Sequence, residues 1–260
     1  MKRITQLKDE ALVALHGNFG NAALATLGVA AISLAISLLF SLSGGTNIFE
    51  YYSAVLDGDF SSMMDAMGGS PATTILSILV SIFFTVPLTV GVINTYRVLI
   101  ESKGSDNNLF TNFFKLAFSK YYLHIVLVSF VSGLLIALMI APVMLILVLL
   151  IFLLHSGVVT VIVSLAATVY CIWIGLLYSQ ISFIILDNPQ LDIIDTMRRS
   201  RHLMDGSKWR FFFLELSFIG WILLGILTLC IGYLWLMPYI RTTEAAFYCD
   251  IRDAQKTEVA

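Results

Sequence analysis

Asn94, Arg97, Gln180, Glu215, Arg241 and Glu244 are polar side chains set in or beside otherwise apolar stretches. Even on the mildest scale an ionisable group at the centre of a bilayer costs roughly 3 kcal/mol, so one found there marks an ion pair, a proton relay or a ligand site. Glu215 lies one turn inside an apolar run and is expected to face Arg97 or Arg241 in a polar cluster. That arrangement admits a structural ion pair, a carboxylate reaching shallowly to headgroup water, or a transport site. No other constellation points to chemistry. HExxH, GxSxG, P-loop and paired acidic metal motifs are all missing from the sequence. No two of His16, His124, His155 and His202 are four residues apart, and Cys171, Cys230 and Cys249 form no CxxC pair. The cysteines therefore read as small apolar residues, with neither a disulfide framework nor a zinc site. No catalytic, cofactor-binding or metal-binding residue is assigned, and no cofactor is expected.

The elements that must position these residues are membrane helices. The chain has 260 residues, 58% hydrophobic and 12% charged, with a mean hydropathy of +0.90. A soluble domain carries about 25% charged residues. Residues 22–43, 75–96, 121–186 and 216–240 contain no Asp, Glu, Lys or Arg. Each is long enough for a bilayer crossing, which takes roughly 20 residues. The fold class is all-α: a single polytopic helix bundle. A cleaved signal peptide is not expected, because Asp9 and Glu10 precede an apolar run that starts late and is long.

The spans are placed at about 22–43, 75–99, 122–154, 158–186, 211–229 and 232–248. His155-Ser156-Gly157 forms the turn between the third and fourth. The region from Phe211 to Tyr248 could be one long tilted span or two short ones. Basic residues avoid translocated loops, and this rule arbitrates. With six spans all fifteen Lys and Arg fall on one side, whereas five would leave Arg241, Arg252 and Lys256 opposite the rest. Six spans with both termini cytosolic is the expected topology. The last span is short before Arg241 and enters fully or only partly.

Three cytosolic segments share a layout. Helices over 4–16, 109–118 and 189–205 each present an apolar face, then a small residue, a polar one and an aromatic, then a span. Such amphipathic helices lie at a lipid interface, although packing beneath the bundle would give the same pattern. In "DNPQLDIIDTMRRSRHLMDGSKWRFF", residues 187–212, Asn188-Pro189 reads as the helix start and Asp195 to Arg199 as an i, i+4 pair. Arg198, Arg199, Arg201, Lys208, Trp209 and Arg210 are candidates for contact with lipid headgroups. Asp187, Asp192, Asp195 and Asp205 offset those cations, which argues against nucleic acid. Ser129, Gly133, Ala137 and Ala141 recur every four residues before Pro142, a spacing that permits close helix contact, within the bundle in preference to between protomers.

Three segments carry a resemblance: "ALVALHGNFGNAALATL", "RRSRHLMDGSKWRFFFLELSFIGW" and "LTLCIGYLWLMPYIRTTEAAFYCDI". In order and content they resemble a bacterial family of uncharacterised integral membrane proteins, named only as a domain of unknown function. They are more distantly similar to the membrane domain attached to some glycerophosphodiester phosphodiesterases. The resemblance implies a six-span bundle in the cytoplasmic membrane and supplies no activity. Cys230 stands where that family commonly has glycine. Together these features lead to the expectation of a non-enzymatic envelope accessory or scaffold, contacting membrane lipids, a membrane-protein partner or a second copy. A small transporter or channel built around Glu215 is the alternative, and an intramembrane lipid-modifying enzyme a weaker one.

Overall fold

Gly17, in a left-handed conformation at φ +83°, separates two helices of opposite character. The first is amphipathic and the second is apolar on every side. The computed structural model describes residues 1–42, 86–104, 121–154, 157–228 and 232–259, with the isolated positions 53, 62, 76, 79 and 80. Along these residues run α1 (Ile4–Leu15), α2 (Phe19–Leu42), α3 (Val86–Glu101), α4 (Tyr122–Leu154) and α5 (Gly157–Tyr178). They are followed by α6 (Ile181–Asp187), α7 (Ile193–Leu203), α8 (Lys208–Leu216), α9 (Ile219–Leu227) and α10 (Tyr233–Val259). Among the described residues there is no strand.

Phe19–Leu39, Tyr122–Leu150, Gly157–Asp187 and Lys208–Leu227 are long and apolar enough to cross a membrane. A helix is the form such segments take, because it satisfies its own backbone where no water can. α4 has 33 residues and continues through Pro142, giving about 50 Å of helix against a hydrocarbon core of about 30 Å. None of its most apolar window is buried by protein. α5 lies along it, and the Tyr170 hydroxyl donates to the Met139 carbonyl at 3.1 Å.

The core gathers at the other end of the molecule, where the charged residues are. There α10 packs against α1, α2 and α3. Its Ala245, Ala246, Phe247, Tyr248 and Ile251 are buried, as are Leu7, Ala11, Ala14 and Leu15 of α1. The two alanines let the neighbouring backbones close in. A second core joins Val90, Ile125, Val128, Ile174 and Ile185 across α3, α4, α5 and α6.

Several boundaries differ from those read in the sequence. The segment expected as a short span over 232–248 and a separate tail is one 27-residue helix, α10. Pro238 lies in its second turn and leaves only the Leu234 carbonyl without its helical donor, so the helix is not interrupted there. The fourth span divides at Ser179-Gln180 into α5 and α6. α7 begins at Ile193, not at Pro189, with Asp192 as its N-cap. Proline keeps the preceding Asn188 out of the helical region. The turn that results is held by Leu191 N–H on the Asn188 carbonyl at 3.1 Å and by Gln190 on the Tyr121 hydroxyl at 2.7 Å. Asp195 pairs with Arg198 rather than Arg199. The predicted apolar face of α1 holds, but protein covers it: Leu7, Ala11 and Leu15 are fully buried. Gly133, Ala137 and Ala141 are exposed, and nothing lies within 4 Å of a Cβ built on Gly133. Among the described residues the packed side of α4 is Ile125, Val128 and Ser132 rather than the small-residue stripe. The helix expected at 109–118, Cys230 and most of the 44–74 loop lie outside the described residues.

Gly104 closes the end of α3 against α1. At φ +79° its missing Cβ would meet the Ala14 carbonyl oxygen at 2.8 Å, and its own carbonyl accepts Asn18 Nδ2 at 2.8 Å. Gly17→Ala should cost about 1–2 kcal/mol, the strain of the left-handed region alone. Gly104→Ala adds a backbone clash and should lower the thermal midpoint in detergent further. Equal shifts for the two variants would refute this account of the α1–α3 junction.

Candidate functional site

Asp187 ends α6, at the pole of the helix where the unpaired carbonyls already leave partial negative charge. A carboxylate there needs cations, and two other helices supply its partners. Arg97 of α3 pairs with Oδ1. Arg252 of α10 reaches Oδ2 at 3.1 Å, and the Tyr248 hydroxyl donates to Oδ2 at 2.6 Å. Arg252 also binds Glu101 at 2.7 Å and Asp253 at 3.1 Å. The side chains of Arg97, Asp187 and Arg252 are 15–16% exposed, and Tyr248 stacks on Phe183 with ring centroids 4.9 Å apart. Burial alone would lower the Arg252 pKa. Hydrogen bonds to Glu101 and Asp187 more than reverse that, so the guanidinium is held above its ordinary value.

A second cluster joins the start of the chain to α8 and α10. Arg210 pairs with Asp250 and lies over the Phe247 ring, and the Lys2 backbone N–H donates to both Asp250 oxygens at 3.0 and 3.1 Å. Lys2 Nζ meets Glu10 at 2.6 Å. Between the clusters lies a polar cavity of about 360 Å³ lined by Lys2, Glu10, Glu101, Asp250, Arg252 and Asp253 among others. Cys249 also borders it, and burial pushes its thiol up to about 12. At neutral pH it is a thiol, not a nucleophile.

The residues singled out from the sequence fall into separate places. Arg97 belongs to the Asp187 network. Arg241 pairs with Glu244 at 2.9 Å, and Glu215 feels the charge of both. Among the described residues no ion pair joins Glu215 to Arg97 or Arg241, and its Oε1 is buried without a hydrogen-bond partner. The expected single cluster is thus two groups, with Glu215 beside one of them. Gln180 is 1% exposed at the α5–α6 break, where its Nε2 donates to Ser179 Oγ at 2.8 Å. Asn94 is half-buried and engaged. Arg198, Arg199 and Arg201 are exposed, as is Trp209. Lys208 pairs with Asp205 at 3.2 Å and sits 5.1 Å from the Trp173 ring. Arg210, expected outward at lipid headgroups, turns inward to Asp250.

Sequence reasoning missed Asp187, Asp250, Tyr248 and Arg252. One signal was present: an aspartate at the C-terminal end of an apolar helix opposes the dipole and asks for cationic partners.

A family model described as a protein of unknown function (DUF975) matches residues 1–255, and the chain belongs to that family. No curated protein and no solved structure matches it.

The Asp187 network acts as a lock between α3, α6 and α10. Arg252→Ala leaves Asp187 with Arg97, and Asp187→Ala leaves Arg252 with Glu101 and Asp253, so each should cost about 1.5–3 kcal/mol, the loss of charged hydrogen bonds. A double-mutant cycle on the two should show coupling of about 0.5–3 kcal/mol. The exposed Asp195–Arg198 pair should show about 0.5 kcal/mol or less by the same unfolding measurement. Equal coupling in the two cycles would remove the lock.

Proposed function

We propose that this family member is a non-enzymatic accessory or scaffold protein of a bacterial cytoplasmic membrane, with six spans and both termini in the cytosol. One observation carries the reading: the partly buried charges at the polar end of the bundle pair with one another across helices. Asp187, Arg97, Arg252 and Glu101 form one set and Arg210 and Asp250 another. Groups so paired hold helices together. Arg199 and Arg201 beside them remain exposed and suit anionic lipid headgroups or an acidic partner, at about 1 kcal/mol per cation near a membrane surface.

The last crossing is short. From Tyr233 to Ile240 α10 rises only about 12 Å, against about 30 Å of hydrocarbon. Its Arg241–Glu244 pair is neutral overall and can accompany it towards the membrane. A hairpin that dips and returns leaves both of its ends on one side, so the side of the C-terminus is the same at either depth.

A transporter reading competes, favoured by the buried, unpartnered Oε1 of Glu215 next to the Arg241–Glu244 pair. Against it, the apolar cavity beside α9 and α10 has none of Asn94, Arg97, Gln180, Glu215, Arg241 or Glu244 in its lining.

In a background without native cysteines, Thr257→Cys should react with an impermeant maleimide only after the cytosolic face is opened. Labelling from outside would refute six spans. Glu215→Gln should leave metabolite and ion flux through intact cells unchanged at normal expression. Loss of a specific flux would replace the scaffold with the transporter.

A further inference from the structure

We propose that the groove between α1, α9 and α10 binds one phospholipid with a phosphoethanolamine head, its acyl chain lying between Trp221 and Trp235 and its phosphate at Lys8. The groove encloses about 470 Å³ and is walled by Leu12, Phe19, Trp221, Leu224, Trp235 and Tyr239. That volume suits a small-molecule ligand, for which about 300–1,000 Å³ is usual.

The closed end of the groove is apolar by construction. Gly225 and Gly232 bring the two helices together: a Cβ on Gly232 would lie 3.2 Å from the Gly225 Cα. Thr228 would be the polar exception there, but its hydroxyl is used twice. It donates to the Gly225 carbonyl at 2.9 Å and accepts the Gly232 N–H at 3.0 Å. A hydrocarbon chain entering the groove meets no unsatisfied hydrogen-bonding group from Thr228, so its burial is not opposed there.

Charge lies one turn of α1 beyond the lining residue Leu12. Lys8 lies one turn before Leu12 on the same face of α1. Its Nζ rests 4.3 Å from the centre of the Phe218 ring, and Phe218 meets Tyr239 edge-on at 5.4 Å. Among the described residues no carboxylate lies within 4.0 Å of Lys8, although Lys2, Lys208 and Lys256 each have one. Burial lowers the Lys8 pKa, the direction expected of an ammonium that lacks an anionic partner. A phosphate would supply that partner. Asp9 is the next residue of α1 and is exposed. The mouth thus offers one cation and one anion, the pattern of a zwitterionic head. A primary ammonium can hydrogen-bond the carboxylate, which a quaternary one cannot.

The inference rests on the membrane reading above and names the lipid site within it. The test uses the full chain, delipidated in detergent and offered dipalmitoyl phosphatidylethanolamine or phosphatidylglycerol. Native mass spectrometry should find one phosphatidylethanolamine retained, in preference to phosphatidylglycerol. Leu224→Trp, which fills the groove, should abolish retention, and Lys8→Ala should weaken it about fivefold. Lys256→Ala, at a lysine paired with Asp253, should leave it unchanged. A phosphatidylethanolamine with a photoreactive group in its acyl chain should cross-link to the 221–239 region of the unmutated protein, which needs no variant to fold. Equal retention by Leu224→Trp, cross-links elsewhere, or a dimer that excludes lipid from the groove would each overturn the site. Preference for phosphatidylglycerol would overturn the head assignment. If the lipid assays fail while Thr257→Cys still labels only from the cytosol, the membrane reading stands and the groove assignment falls.

Discussion

One half-buried carboxylate organises the charged end of this molecule. Asp187 terminates an apolar helix at its electrically negative pole, so the helix that carries it is unfavourable until cations arrive. Arg97 and Arg252 come from segments far apart in the chain, and Tyr248 adds a hydroxyl. Satisfying Asp187 therefore brings α3, α6 and α10 to one point. The aromatic stack of Phe183 on Tyr248 and the buried Ala245-Ala246 face then place α10 at the centre of the core.

This lock explains why the protein has its core at one end. Between helices in lipid the hydrophobic effect supplies little attraction, because lipid tails are as apolar as leucine. α4 accordingly leaves its most apolar window unburied. At the charged end, water can be excluded and side chains can pair, so α1, α3, α7 and α10 pack there as in a soluble domain. α1 shows the consequence. It has the pattern of an interfacial helix, yet Leu7, Ala11 and Leu15 are covered by protein.

The apolar groove between α1, α9 and α10 follows from the same arrangement. α1 is drawn down onto α10 by the core, and the glycine contact at Gly225 and Gly232 pins the α9–α10 hairpin at its far end. What lies between is a slot with tryptophans on its sides and a lysine without an anionic partner at its mouth. The slot and the lock share α10, so the last helix connects the charged end to the lipid-facing surface.

The sequence alone determined where apolar helices must lie, because runs without a single charge leave no other structure for a bilayer. It also determined the face of α1, since Leu7, Ala11 and Leu15 recur at helical spacing. It placed α7 near its true position but misjudged its start, because Asn188-Pro189 carries the same cap signature whether a helix begins there or a turn intervenes. The side-chain pairs were not legible. Arg97 was expected beside Glu215 and found on Asp187, and Arg210 was expected at the lipid surface and found on Asp250. Both arginines lie among the charged residues that flank the apolar runs. Which acid each one reaches depends on how the helices are rotated and crossed, and contacts across the whole chain set that. Only the tertiary structure decided it, because partners such as Arg97 and Asp187, 90 positions apart, meet only where α3 and α6 pack together.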